Sequence, residues 1–224
     1  MKNLFIIANW KANKTEEEAI IWLEDFKKNM NHLASQWEHK EVIICPSYSV
    51  LSVMKECIKK HELPLALGSQ DVSQFGRGAY TGEVPVALIN SYIRFCIIGH
   101  SERRTNFNEN DEVLARKVSM VVGANLLPIF CVQNENTKVP EGVFLVAYEP
   151  VFAIGTGNPD TPENANKVAE EIKRKNKTVK YVLYGGSVNA KNVGSFTNQS
   201  SIEGVLVGGA SLDAKEFIGI IKNA

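Results

Sequence analysis

Val143-Phe144-Leu145-Val146-Ala147-Tyr148-Glu149-Pro150 is an unbroken apolar run that stops at a carboxylate and a proline. A half-exposed strand alternates polar and apolar residues, whereas this run has no wet face, so it fits a parallel sheet buried on both sides. Pro150 cannot donate to a ladder, which ends the strand and leaves Glu149 at its mouth. Short runs of the same kind recur at Leu4–Ala8, Val42–Cys45, Leu65–Gly68, Phe95–Ile98, Leu126–Cys131, Val179–Tyr184 and Gly204–Val207, which makes eight. Most are separated by segments of helical period: Glu16–Asn29, Ser49–Lys60, Glu109–Val122, Pro162–Lys175, Ala190–Phe196 and Ala214–Lys222. Thr15 before Glu16-Glu17-Glu18, Asn108 before Glu109, and Thr161-Pro162 before Glu163 supply capping side chains and early acids that suit a helix N-terminus.

Strand and helix in alternation predict an α/β fold with a parallel sheet covered by helices. Eight units predict a closed (β/α)8 barrel, for which ~250 residues is typical and ~200 the lower end. The 224 residues, 44% of them hydrophobic, suffice for one large core, and no Ser/Gly/Pro-rich linker divides them. One domain over residues 1–224 is expected. One unit departs from the pattern: Val132 to Gly142 gives only eleven, mostly polar, residues before the next strand. That is close to the ~10–12 a parallel crossover needs, and too polar for a covering helix. The helix between strands five and six is therefore expected to be missing or reduced to a short loop. The outer faces of those strands then need cover from neighbouring helices, the loop or a partner subunit.

Charge excludes several classes of function. Twenty-five basic residues balance twenty-five acidic ones, and Lys173-Arg174-Lys175 is a short group that a helix end explains. Neither nucleic acid nor membrane is implied. The apolar stretch Leu4–Ala8 is too short for a signal sequence, and no run approaches the ~18 residues of a membrane span. Cysteines 45, 57, 96 and 131 form no Cys-x-x-Cys pair and read as reduced thiols, so a cytoplasmic protein is expected. Histidines 32, 39, 61 and 100 lack metal-ligand spacing, so no metal is expected.

Active sites of such barrels are built at the C-terminal ends of the strands. There the chain places Asn9-Trp10-Lys11 after strand one and Gly99-His100-Ser101-Glu102-Arg103-Arg104 after strand four. Alone, Lys11 reads equally as a solvated lysine; a lone strand-end histidine is more often a hydrogen-bonded structural residue, but the three charged residues that Ser101 leads into shift that reading for His100. Glu149 opens a largely apolar segment, Val151-Phe152-Ala153-Ile154-Gly155-Thr156-Gly157, whose glycines suit a lid that shields a small ligand from water. A carboxylate under a lid reads as a general base. Gly185-Gly186-Ser187 and Gly208-Gly209 follow the last two strands, where backbone N–H groups can approach an anion. Each pair alone is equally a tight turn; two in succession favour phosphate.

Asn9-Trp10-Lys11, Gly78-Ala79-Tyr80-Thr81-Gly82-Glu83, Gly99 to Arg104, Tyr148-Glu149-Pro150-Val151 to Gly157, Tyr184-Gly185-Gly186-Ser187-Val188 and Val207-Gly208-Gly209-Ala210-Ser211 together resemble the triosephosphate isomerase family. The six motifs stand in the family's order and span residues 9 to 211. The resemblance implies a TIM barrel and the interconversion of D-glyceraldehyde 3-phosphate and dihydroxyacetone phosphate through an enediolate, in glycolysis and gluconeogenesis, without a cofactor. It implies that Glu149 moves the proton and that His100, as a neutral imidazole, polarises the substrate oxygens; these are the family's known roles rather than a deduction from spacing. It also implies that Lys11 neutralises charge, that Asn9 hydrogen-bonds nearby and that Glu102 orders Lys11. Gly155, Ser187, Gly208 and Gly209 then donate mainly backbone N–H groups to the phosphate. The loop over residues 72–83 is implied to enter a second subunit and bring Thr81 near Asn9 and Lys11 of the partner subunit, giving a homodimer.

The chain departs from the family pattern at three places. Val132-Gln133-Asn134 replaces the usual Gly-Glu and long helix, Phe152 stands where Trp is usual, and Asp160 replaces a small residue at the far lid hinge. The last change is expected to weaken the closed-lid bond from Tyr184. Two rival readings fit less well. A Schiff-base aldolase needs a lysine in an apolar pocket at a strand end, whereas Lys11 lies among polar neighbours. A non-catalytic sugar-phosphate-binding barrel would lose the base or the electrophile, and both Glu149 and His100 are present.

Overall fold

Strands form where the apolar runs lie. In a computed structural model that describes residues 2–30, 37–153 and 157–224, β1 (Leu4–Asn9), β2 (Lys40–Cys45), β3 (Ala66–Ser69), β4 (Phe95–Ile98), β5 (Leu127–Val132), β6 (Leu145–Tyr148), β7 (Tyr181–Tyr184) and β8 (Gly204–Val207) pair in parallel, each with the next. β1 also pairs with β8, from Phe5 opposite Gly204 to Ala8 opposite Val207, and closes the barrel. The two-residue period of each strand divides its side chains between two cores. Ile7, Ile43, Phe95, Ile97, Ile129, Cys131, Leu145, Ala147, Leu183 and Leu206 fill the barrel interior. Ile6, Ala8, Val42, Ile44, Ile98, Phe130, Val146 and Val205 pack outward into the layer shared with the helices.

The helices are α1 (Glu16–Met30), α2 (Leu51–Lys60), α3 (Val86–Ile89), α4 (Ser101–Asn106), α5 (Asp111–Gly123), α6 (Pro162–Lys175), α7 (Val193–Thr197) and α8 (Ala214–Asn223). Thr15 caps α1 reciprocally: its Oγ1 accepts the Glu18 N–H while Glu18 Oε2 accepts the Thr15 N–H. Thr161 caps α6 by accepting the Asn164 N–H. Two expectations are corrected. The cap of α5 is Asn110, whose Oδ1 accepts the Val113 N–H at 3.0 Å. Asn108 instead sits at φ +53°, and Glu109 turns inward to meet Lys117 and Arg103. The segment expected as helix over Ala190–Phe196 is helical only from Val193. The Asn189 side chain takes the N–H groups of Lys191 and Asn192 before a helix can use them.

The crossover from β5 to β6 contains no helix, as its polar sequence requires. Thr137 Oγ1 accepts the Gln133 and Asn134 N–H groups and holds it in turns. The wall is nevertheless closed within one chain. Phe130, Val132, Val146 and Tyr148, which point outward from β5 and β6, are all buried. Val139 and Val143 of the crossover join the outer core. The Arg104 guanidinium lies 5.5 Å over the Phe130 ring and donates to the carbonyls of Gly99 and Cys131. Lys175 at the end of α6 reaches Asn136 at 2.6 Å and ties the crossover to that helix.

Candidate active site

Every strand ends at the same rim, and the polar residues just beyond the strands converge there. Asn9, Lys11, His100, Glu149, Gly157, Gly185, Gly186, Ser187, Gly208 and Gly209 are among the residues that line a cleft of about 280 Å³. His100 is the residue before α4. Its Nδ1 accepts the Glu102 N–H at 3.2 Å, a cap that requires this nitrogen to be unprotonated. The ring proton of the neutral imidazole is therefore on Nε2, an assignment made from the hydrogen bond. Nε2 faces Glu149 Oε1 at 3.1 Å. The other carboxylate oxygen of Glu149 accepts the Ser101 N–H at 3.0 Å, at the start of the same helix.

Glu149 is only 1% exposed, and its surroundings explain how a carboxylate sits there. Its N–H bonds to the Val132 carbonyl across β5, which aims the side chain into the barrel mouth. Cys131 lies beneath it, within hydrogen-bonding reach of the carboxylate; burial first, and then that negative charge, push the thiol well above its ordinary pKa, so it stays protonated and able to donate. On the opposite side, a Cβ on Gly185 would stand 2.9 Å from Glu149 Cγ, so this position has to be glycine for the carboxylate to fit.

Lys11 adopts φ +54°, an uncommon conformation for a residue with a side chain. Two contacts hold it there: Asn9 Oδ1 accepts its N–H at 3.1 Å, and Gln70 Nε2 donates to its carbonyl at 2.8 Å. Gln70 also donates to the Cys45 carbonyl, so β2 and β3 both anchor the lysine backbone. The ammonium pairs with Glu102 Oε1 at 2.5 Å and passes close to Gly208 on its way. Among the described residues lining the cleft, Lys11 is the cationic side chain.

The end of the cleft where phosphate was expected is made by Gly185–Ser187 and Gly208–Gly209, the latter opening a 3-10 turn over Gly209–Leu212. A Cβ on Gly186 would run into the Tyr184 hydroxyl. The backbone of this turn is bare because the tyrosine ring lies against it. The Ser187 hydroxyl is already engaged: it donates to the Ala153 carbonyl at 2.8 Å and accepts the Gly157 N–H at 3.2 Å. It therefore bridges the two sides of the segment over residues 151–157. Ile154, Gly155 and Thr156 lie outside the described residues.

Behind the cleft is a buried charge cluster. Lys117 pairs with Asp71 and Glu109, both at 2.6 Å, and Arg103 pairs with the same two carboxylates. Burial pushes Asp71 up to about 6, while Lys117 pulls it in the opposite direction. Among the described residues no group of three or more His, Cys, Asp or Glu is placed to hold a metal ion.

A family model of triosephosphate isomerase matches residues 4–224. The chain belongs to the triosephosphate isomerase family. Similar proteins named triosephosphate isomerase include that of Dictyoglomus thermophilum, 37% identical over 256 aligned positions covering 100% of both chains. That of Thermus thermophilus is 35% identical over 257 positions, again covering 100% of each. That of Mesomycoplasma hyopneumoniae is 36% identical over 244 positions, covering 98% of each. These alignments are longer than the 224 residues here, so the relatives carry residues without a counterpart in this chain.

Within that triosephosphate isomerase frame, the strand ends bring together Asn9, Lys11, His100, Glu149, Gly208 and Gly209 as their positions in the sequence suggested. Glu102 stands beside them, behind Lys11. Thr81 is exposed on the loop over 72–83 and does not line the cleft of its own chain. The expected weakening at Asp160 is not seen. Its N–H bonds to the Tyr184 hydroxyl at 2.7 Å, because the contact uses the backbone and leaves the larger side chain free to turn elsewhere. Gln70, Cys131 and the Ser101 N–H were not legible as site groups. Gln70 carried a signal like that of Asn9, a polar residue at the C-terminal end of a strand.

Proposed function

We propose that the chain interconverts D-glyceraldehyde 3-phosphate and dihydroxyacetone phosphate, a step of glycolysis and gluconeogenesis, with Glu149 as the base. The contact between His100 Nε2 and Glu149 Oε1 at 3.1 Å carries this reading, since it sets a proton donor for an oxygen beside a proton acceptor for a carbon. Glu149 removes a proton from the carbon next to the carbonyl, and the electron pair moves onto the carbonyl oxygen. His100 Nε2–H and the Lys11 ammonium stabilise the charge that develops there. A proton then passes from the neighbouring hydroxyl to that oxygen by way of His100 Nε2, and Glu149 returns its own proton to the former carbonyl carbon as the deprotonated oxygen becomes the new carbonyl. In the resting arrangement both carboxylate oxygens are occupied, so a substrate that takes the Nε2 proton from Glu149 also frees the base. The N–H groups of Ser187, Gly208 and Gly209 hold the phosphate; the Ser187 hydroxyl holds Ala153 and Gly157 instead.

A homodimer completes this reading. The loop over 72–83 is pinned at its foot by the bond from Ser73 N–H to the Val84 carbonyl and stiffened by the stacked Phe75 and Tyr80 rings, 4.1 Å apart. Beside the cleft lies a second hollow, of about 240 Å³, which includes Asn9, Lys11, Tyr48, Gln70 and Phe107. This hollow is where the proposed homodimer would receive the loop of a second copy, led by Thr81. A cytoplasmic setting agrees with four free cysteines, and among the described residues no helix is long and apolar enough to cross a membrane.

A coupled assay with D-glyceraldehyde 3-phosphate, run on the parent, Glu149→Asp and Glu149→Gln, tests the base. The parent should turn over, and Glu149→Gln should lose on the order of 10²–10⁴ in kcat. Equal activity in all three would remove Glu149 from the role. An inactive parent that binds phosphoglycolate would make the barrel a binding module.

A further inference from the structure

The two feet of the lid are joined by one buried carboxylate. Tyr148 precedes Glu149 at the end of β6, points outward, and donates its hydroxyl to Asp160 Oδ2 at 3.3 Å. Asp160 follows the lid and is 8% exposed. Its side chain also accepts from Asn164 Nδ2 at 2.8 Å, in the first turn of α6. Its own N–H donates to the Tyr184 hydroxyl at 2.7 Å, and that hydroxyl lies against Gly186 of the turn where phosphate was expected.

The choice of a carboxylate follows from what surrounds it. Tyr148 and Asn164 both present donors, and a deprotonated carboxyl is an acceptor with room for several bonds. Burial, with the carboxylate nearby, keeps the Tyr148 phenol protonated and therefore a donor. A small side chain would leave the Tyr148 hydroxyl without this partner in a buried site, where an unmet hydrogen bond is costly. At 3.3 Å the Tyr148 contact is the longest of the set.

Resting on the isomerase reading above, we propose that Asp160 is a positioning residue that clamps the end of β6 to the far foot of the lid and so fixes the distance between Glu149 and the phosphate turn. It touches no reacting atom. It acts through Tyr148 on one side and Tyr184 on the other.

The test compares Asp160→Ala, Asp160→Asn, Tyr148→Phe and the Asp160→Ala/Tyr148→Phe double variant. Three quantities are read: kcat and KM for D-glyceraldehyde 3-phosphate, phosphoglycolate affinity by calorimetry, and thermal midpoint. Asp160→Ala and Tyr148→Phe should each lower kcat on the order of tenfold and weaken phosphoglycolate, about the loss of one buried hydrogen bond. The double variant should be no worse than the worse single, because both remove the same bond. Asp160→Asn should recover much of the loss, since its amide oxygen still accepts. Parental kcat and inhibitor affinity in Asp160→Ala and Tyr148→Phe, with only the thermal midpoint lowered, would overturn the clamp, as would fully additive losses. Phosphoglycolate affinity reads the clamp even in a parent that does not turn over, so failure of the isomerase reading and failure of the clamp give different results.

Discussion

Lys11 shows how much a single residue depends on neighbours that lie far away in the chain. Its left-handed backbone costs on the order of 1 kcal/mol and is held by Asn9 from β1 and by Gln70 from beyond β3. Gln70→Ala should therefore raise KM more than it lowers kcat and reduce kcat/KM about tenfold, because it frees two carbonyls and loosens the charged group without touching the base. Steady-state kinetics decide this, and an unchanged KM would count against it. At His100 the prediction is spectroscopic. Nitrogen NMR should show the proton on Nε2, since Nδ1 accepts the Glu102 N–H; a proton on Nδ1 would contradict the cap. Glu149, His100, Lys11 and Asn9 were legible because each stands just beyond an apolar run inside a motif that resembles the family's; position alone left Lys11 and His100 open. Cys131 and the Ser101 N–H were not, because their importance comes from the register between β4, β5 and β6 and from a helix start of only six residues.

Among the elements, the missing helix was legible because eleven mostly polar residues cannot form an amphipathic cover. Its replacement was not legible, since Arg104 belongs to a different unit and reaches β5 only in the closed barrel. Arg104→Ala should cost about 2–3 kcal/mol of stability: two buried carbonyls lose their donor and the Phe130 ring loses its cover. Urea unfolding measures this, and a change below about 0.5 kcal/mol would mean the crossover alone closes the wall. The charge cluster joining the end of β3 to α4 and α5 has a pH signature. The folded Asp71 carboxyl holds its proton up to about 6, above the ordinary 3.8, so its contribution to stability is complete below the unfolded value and is lost as pH rises through about 6. The parent should lose stability relative to Asp71→Asn between about pH 4 and pH 6, by up to about 3 kcal/mol. A flat difference across that window would contradict the shift.

At the scale of the molecule, the eight strands and their closure could be read from hydrophobic pattern alone, because fully buried parallel strands leave no polar face to confuse the period. The limits of α5 and α7 could not, because Glu109 is drawn inward by Lys117 and Asn189 competes for backbone N–H groups. The proposed dimer also belongs to this scale. Light scattering should give twice the chain mass of 24.8 kDa, and shortening the loop over 72–83 should give monomers with impaired turnover. Full activity in a stable monomer would separate the site from assembly.

The role proposed for Glu149, carrying a proton between two carbons, is read by exchange with solvent. When D-glyceraldehyde 3-phosphate is converted in deuterium oxide, the parent should place deuterium on carbon in the product, because a carboxylate that has taken a proton can exchange it before giving it back. Glu149→Gln should incorporate deuterium more slowly than the parent by the same factor, on the order of 10²–10⁴. Incorporation by Glu149→Gln at the parental rate would contradict the account.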